Sequence, residues 1–385
     1  MHKRVRRHIC VSVLVSCCLL VFGSDAWAGG RKSPKPGRKA KASSSGKAQS
    51  AQSARKSSPS ARRSAQSARP PQAAAAASPN AVRANSAGEL VFGQAIRYHN
   101  LSLVPVGTRA QGPFQRYLLL EEGLASGELR VRELRGNNSR AQVSQVEVRN
   151  QGADPVYLLG GEMILGGKQD RIIQADTVIE NDKRWHQVAV FCVEQNRWAG
   201  QKTRFRSGSA IAHVALRRAA MSGSQSKVWA EVARKNLRHG TQSSTQTYRR
   251  TIQNKRLRKK IAPYRRRLLA LLPKDMRLAG MVFAINGKIR VADLFGNPLL
   301  FDGLKEKLLS AYVLEALGNQ VKRNARPLST KAAARWLSKR RKAKHKRVKN
   351  SGRAINYDKE SAEAVGRKTV DRKTGKMLRE SYIAK

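Results

Sequence analysis

Acidic residues are scarce in this chain, and cysteine is nearly absent once its first segment is set aside. There are 25 Asp and Glu against 77 Lys and Arg, a formal net charge of +52. Of the four cysteines, Cys10, Cys17 and Cys18 lie in the first 28 residues and only Cys192 follows. A chain cleaved after Ala28 therefore has no intrachain disulfide, and the strand-like setting of Cys192 favours burial over reactivity. Histidine is sparse too: His99, His186, His213, His239 and His345 are scattered, with no two at metal-ligand spacing. This excludes a metal centre as a working expectation, and no cofactor is implied. Aromatics make up 5% of the chain, too few among the basic segments for base stacking. The apolar run from Ile9 to Phe22 falls short of the roughly 20 residues that a membrane-spanning helix needs.

That run has the marks of a secretory leader. Lys3, Arg4, Arg6 and Arg7 precede it, and Ala26-Trp27-Ala28 closes it as a small-x-small cleavage site. The expected location is periplasmic or secreted. Leu14-Val15-Ser16-Cys17 also matches a lipoprotein cleavage site, but the apolar run continues past Cys17, so a lipid anchor there is the lesser reading. Residues 29–88 hold 13 basic and no acidic residues amid Ser, Ala, Gln and Pro, with AQSAR repeated at 51–55 and 65–69. Such a segment has little to bury and is expected to be a disordered basic linker. Residues 320–385 carry 22 basic and 5 acidic residues and read as a basic C-terminal tail with a helix around 331–345 and a small hairpin at 369–378.

Between these ends, residues 89–319 read as one globular domain. Short alternating runs at 102–106, 117–120, 128–134 and 143–148 predict antiparallel strands. The expected class is α+β: an antiparallel β-rich N-terminal half, sandwich or partial barrel, followed by helices and a β-hairpin. Ser224 or Ser226 caps a predicted helix with Trp229, Val232, Ala233 and Leu237 as its apolar stripe and Gly240 as its end. A second helical segment spans 245–272, where Pro263 predicts a break or kink. Asn286-Gly287 between alternating runs predicts the hairpin, and a helix over 302–317 stops at Gly318.

Chemistry concentrates in residues 155–198. Gly160-Gly161 and Gly166-Gly167 bracket Met163-Ile164-Leu165, and Lys168-Gln169-Asp170-Arg171 follows. Glycine pairs beside strands mark bulges or close approaches of the backbone. Residues 188–193, apolar on both faces, predict a buried strand whose polar end, Glu194 to Trp198, could line a cleft. A phosphate-binding loop of the Walker type is excluded, because Glu162 and Gln169 stand where that pattern needs glycine and a hydroxyl. Ser224-x-x-Lys227 with the distant Lys373-Thr374-Gly375 has the order of penicillin-recognising enzymes, an order that chance supplies in a chain this rich in Lys and Ser. Two readings of the carboxylates stay open. Glu162 and Glu194 could act as general acid and base, with Gly166, Gly167, Lys168, Gln169, Asp170, Arg171, Arg197 and Trp198 holding a ligand. Alternatively, they form strand-end ion pairs and Trp198 caps the core.

The blocks LLGGEMILGGKQDRIIQADTVI at 158–179, VFCVEQNRW at 190–198, VWAEV at 228–232 and INGKIRVADLFGNPLLF at 285–301 resemble the ARG and rhodanese-phosphatase-superfamily-associated protein (ARPP) domain over about 90–319. Glu162, Gly167, Lys168, Gln169, Arg171, Cys192, Glu194, Arg197 and Trp198 match its motif positions. The resemblance implies, by association, contact with ADP-ribose-like or phosphate-bearing ligands. The expected function is that of an exported, non-enzymatic binding protein whose basic arms contact anionic envelope polymers or lipid head groups. Its rival is a hydrolase acting on a phosphorylated or ADP-ribose-like small molecule through Glu162 or Glu194, with Lys168, Arg171 and Arg197 on the anion. Export argues against nucleic acid as the cellular partner.

Overall fold

The structure, a computed structural model, describes residues 82–83, 90–134, 143–197, 204–322 and 324–385. The expected leader, nearly all of the expected basic linker, and Trp198 lie outside the described residues. Nineteen strands and seven helices follow in order among those described. The first group is β1 (Val82–Arg83), β2 (Leu90–Phe92), β3 (Ile96–Tyr98), β4 (Leu101–Thr108), β5 (Leu118–Leu119), α1 (Leu120–Ser126), β6 (Leu129–Glu133) and β7 (Gln145–Asn150). Then come β8 (Val156–Leu158), β9 (Glu162–Leu165), β10 (Arg171–Ile173), β11 (Thr177–Ile179), β12 (Trp185–Cys192) and β13 (Arg206–Ile211). The helices α2 (Val214–Met221), α3 (Gln225–His239), α4 (Arg249–Ile252) and α5 (Lys255–Ala270) lead to β14 (Leu278–Ile285) and β15 (Lys288–Phe295). Last are α6 (Pro298–Leu317), α7 (Thr330–Arg341), β16 (His345–Ser351), β17 (Ala354–Glu360), β18 (Ala364–Asp371) and β19 (Met377–Ala384).

The fold is α+β, and its strands pair antiparallel apart from β5 against β8. A ten-stranded sheet runs β1-β2-β4-β14-β15-β19-β18-β17-β16, with β3 also on β4. A six-stranded sheet runs β13-β9-β10-β12-β7-β6, and a three-stranded sheet runs β11-β8-β5. Continuous apolar runs are explained by burial of both faces of a strand. In β12 and the residue after it, Val188 and Val190 pack with the three-stranded sheet, whereas Phe191 and Val193 face α2, α3 and α4. In β14, Met281, Phe283 and Ile285 face α6, while Val282 and Ala284 meet Leu328, Ala333 and Leu337 at α7. Helix α6 is apolar nearly all round because it is enclosed: Leu300, Leu304, Leu308 and Tyr312 are buried in one core and Leu314 in another. Each such side chain contributes about 1.5–3 kcal/mol. Among the described residues no helix is long and apolar enough to cross a membrane.

Local signals explain several boundaries. Asn286 and Gly287 take φ of 49° and 75°, the paired left-handed conformation that turns a two-residue hairpin, and Gly287 passes so close to the Arg326 carbonyl that a Cβ would sit 2.0 Å from it. Ser224 caps α3 by accepting from the Lys227 N–H, and Gly240 ends it in the left-handed region.

Four expectations are corrected. The run 117–120 is a two-residue strand that turns into α1 at Leu120. In α3 the buried face carries Val228, Val232, Lys235 and Asn236, while Leu237 is 68% exposed. A stripe search misses this face because two of its members are polar and bonded across it: Lys235 to Glu315, and Asn236 to the Thr247 carbonyl. The helical segment expected over 245–272 divides at Gln253-Asn254 rather than at Pro263: α4 ends at Ile252, and α5 continues through Pro263 with Leu257 and Leu268 buried on either side of it, without the hydrogen bond a proline cannot donate. Residues 320–385 are not an appended tail. They form α7 and β16–β19, and β19 pairs with β15 from Val291↔Ile383 to Phe295↔Arg379. Their basic composition conceals buried apolar positions, among them Ala364, Leu378, Tyr382 and Ile383.

Candidate functional site

The turn between β9 and β10 is shaped by its glycines. Gly166 and Gly167 have φ of 110° and 57°, and a Cβ on Gly166 would stand 2.6 Å from the Arg204 carbonyl oxygen. The turn closes on Asp170, which is fully buried: its Oδ1 accepts from the Gly166 N–H at 3.0 Å. Asp170 also accepts from Arg249 Nε at 2.7 Å and Thr247 Oγ1 at 3.2 Å, and Arg197 Nη2 stands 3.5 Å away. Glu194 is the next anion in this group. Its Oε2 accepts from the Asp170 N–H at 3.1 Å and pairs with Arg197 Nη2 at 2.7 Å. Burial alone would raise the Glu194 carboxyl, but the Arg197 hydrogen bond and the Asp170 N–H outweigh it and hold the carboxyl below its ordinary value. Gln169 donates to the Glu194 carbonyl at 2.9 Å, and Arg197 donates to the Gly167 carbonyl at 3.1 Å. A cleft of about 570 Å³ opens here, lined by Glu194, Thr241, Thr247, Arg249, Arg250 and Asn254 among others.

The structure thus brings Gly166, Gly167, Gln169, Asp170, Glu194 and Arg197 together, with Lys168 in the same turn donating its backbone N–H to Glu133 at 2.7 Å. Arg171 and Glu162 point elsewhere. Arg171 is fully buried and forks onto Glu133 at 3.0 and 2.8 Å, with its Nε donating to the Val143 carbonyl. Glu162, at the start of β9, accepts from Lys307 of α6 at 2.8 Å and from the Leu159 N–H at 3.0 Å. The Cys192 thiol is buried and raised by that burial, and it donates to the Glu194 carbonyl at 3.1 Å. Trp198 lies outside the described residues.

Sequence reasoning missed Glu133, Thr247, Arg249 and Lys307, because each reaches its partner from a distant segment. A hint was present in the basic stretch 249–267, whose first residue is Arg249. It also missed two buried polar networks. In the first, Asp293 accepts two hydrogen bonds from Arg217 (2.9 and 2.7 Å), one from Arg379 (2.7 Å) and one from Tyr312; Arg379 reaches on to Asp176 at 2.8 Å. Asp176 also accepts from the Gly160 N–H at 2.8 Å, and a Cβ on Gly161 would be 3.0 Å from Arg217. The first glycine pair is therefore where the backbone fits over this network.

In the second network, His213 bridges Tyr248 (2.9 Å) and Glu231 (2.6 Å), and Lys235 pairs with Glu315 at 3.3 Å. Burial would raise the Glu315 carboxyl, but the positive charge at His213 and Lys235 and the Ala215 N–H outweigh it and hold the carboxyl at about 2. His213 is itself lowered by burial and by Lys235, and burial lowers Lys235 as well. The folded value of Glu315 lies below the ordinary 4.5, so its stabilisation is fully present above that value and is lost as pH falls towards 2. Between those pH values wild type should lose roughly 2–3 kcal/mol more than Glu315→Gln does, read from denaturation at stepped pH. Equal losses in the two proteins would discard this assignment.

Fold and site together define a layered α+β domain in which most of the charged residues singled out are engaged in ion pairs, with polar and basic clefts opening beside them. Residues 89–383 match the family model of the ARG and Rhodanese-Phosphatase-superfamily-associated Protein domain, and the chain belongs to that family. The match reaches past residue 319 to take in α7 and β16–β19, as the pairing of β19 with β15 requires. No curated protein and no solved structure matches the chain.

Proposed function

We propose that the chain is an exported, non-enzymatic binding protein whose basic surface attaches it to anionic polymers or lipid head groups of the bacterial envelope. The observation that carries this reading is α5, sixteen residues without one Asp or Glu. Arg256, Lys259, Lys260 and Arg267 are exposed on it and have no carboxylate partner among the described residues. Positive charge ordered on a rigid helix attracts a polyanion with little further entropy loss, and the attraction weakens with salt. The leader-like first 28 residues and the acid-free segment 29–88 support export and a second basic contact.

The full-length chain should bind phosphatidylglycerol vesicles and polyphosphate in a salt-sensitive way. Combining Arg256→Gln, Lys260→Gln and Arg267→Gln should weaken binding by at least about tenfold, since each cation near an anionic surface contributes about 1 kcal/mol before screening. The two probes separate a lipid surface from a soluble polymer. Unchanged affinity for both would sink the proposal.

A second reading, hydrolysis of an ADP-ribose-like or phosphorylated ligand, is supported by Glu194 and Arg197 standing together beside a cleft of about 570 Å³. In that reading Glu194, held ionised, serves as a base. Arg171 and Glu162, tied to Glu133 and Lys307, would not reach the same ligand. Turnover of ADP-ribose by wild type that Glu194→Gln abolishes would favour this reading over the first.

A further inference from the structure

A second pocket, of about 410 Å³, lies between β13, α5 and α6. Its lining includes Arg206, Arg258, Arg265 and Lys307 and no Asp or Glu. Lys307 is partly neutralised from behind by Glu162 at 2.8 Å and Glu121 at 3.6 Å. The guanidinium groups of Arg206, Arg258 and Arg265 have no carboxylate partner among the described residues, so the pocket holds an excess of positive charge. Beneath it lies apolar surface from Leu165, Ile261 and Leu314. Helix spacing explains the arrangement: residues 258, 261, 262 and 265 fall at i, i+3, i+4 and i+7 on one face of α5, roughly opposite Arg256, Lys260 and Arg267.

The third wall is backbone held in an unusual shape. β13 pairs with β9 irregularly between Ser207 and Ile211, and Ser209 within that bulge has φ 48°. A non-glycine residue in the left-handed region costs on the order of 1 kcal/mol and is retained where the surroundings enforce it. Here the Ser209 hydroxyl is tied to Glu121 at 2.5 Å, the same carboxylate that approaches Lys307. The bulge lets Arg206, Ser207 and Ser209 all line the pocket.

We propose that this pocket binds a small organic phosphate ester, with the phosphate held by Arg206, Arg258 and Arg265 and the organic body lying on Leu165, Ile261 and Leu314. Guanidinium forks match phosphate oxygens in pairs, and three of them with no carboxylate partner of their own suit a dianion better than a single carboxylate. The volume exceeds what phosphate alone fills and falls in the range of small-ligand sites that combine an apolar floor with a few convergent polar groups. The inference does not depend on the outer face of α5, because different residues carry it.

Calorimetric titration of the full-length chain tests it, with AMP and glucose 6-phosphate as esters and adenosine and inorganic phosphate as controls. At least one ester should bind with one-to-one stoichiometry, adenosine should not bind, and inorganic phosphate should compete weakly. Arg258→Gln with Arg265→Gln, and separately Arg206→Gln on β13, should each weaken the ester by about tenfold or more, as expected for losing charge-assisted hydrogen bonds, while vesicle binding and melting temperature hold. The proposal is overturned if neither ester binds in the millimolar range, if inorganic phosphate binds as tightly as the esters, or if both arginine variants keep wild-type affinity. Because Arg256, Lys260 and Arg267 lie on the other face, their loss should leave ester binding intact, so failure here and failure of envelope attachment are read separately.

Discussion

Asp293→Asn should lower the stability of the folded chain by about 3–5 kcal/mol, the cost of leaving a buried cation without its counter-charge. Asp293 is 0% exposed on β15 and takes the guanidinium of Arg217 at two oxygens and that of Arg379 at one, with Tyr312 donating as well. With Asp176, the group holds two cations and two anions and is neutral as a set. An asparagine fits the space but removes one of the anions, and its amide hydrogens would face the guanidinium donors. The residues involved come from α2, β15, α6 and β19, so the loss should spread through the fold as one cooperative transition. Denaturant titration of wild type and variant measures it. A loss under about 1 kcal/mol would mean that the guanidiniums find other acceptors, and the central role given to Asp293 would then be wrong.

Glu133→Gln should cost about 3 kcal/mol or more for the same reason, since Arg171, at 0% exposure, would lose its fork. The double variant Glu133→Gln with Arg171→Met should recover a good part of that loss, because neither charge is then left buried alone. The cycle separates a structural ion pair from a ligand-holding arginine. A structural Arg171 moves stability and leaves ester binding unchanged in any variant that still folds. If Arg171→Met instead weakened AMP binding with no change in stability, Arg171 would return to the ligand site.

Residues close in sequence were easiest to read. Asn286-Gly287 named its hairpin, because a two-residue turn needs left-handed backbone at adjacent positions and these two residues supply it most readily. Residues 188–193 read as a strand buried on both faces, and β12 lies between other strands with apolar partners on each side. The glycine pairs were legible as close approaches, though nothing local said that Gly160-Gly161 fits over Asp176 and Arg217. Polar residues on buried faces were the least legible. Lys235 and Asn236 of α3 lie inside because Glu315 and Thr247 meet them there, and an apolar-stripe reading has no means of placing them. The same blindness made 320–385 look like a tail: a basic segment whose Arg379 is buried between Asp176 and Asp293 counts in composition as surface charge.

By itself the sequence determined the α+β class and the family, since turn chemistry, alternation and motif spacing act over a few residues. Only the tertiary structure decided which charge meets which. It sent Arg171 to Glu133, Glu162 to Lys307, and Glu194 with Asp170 to Arg197 and Arg249. Two charges attract through space without regard to their separation along the chain, and in a protein with 77 basic residues for 25 acidic ones, each carboxylate had many cations it could have met.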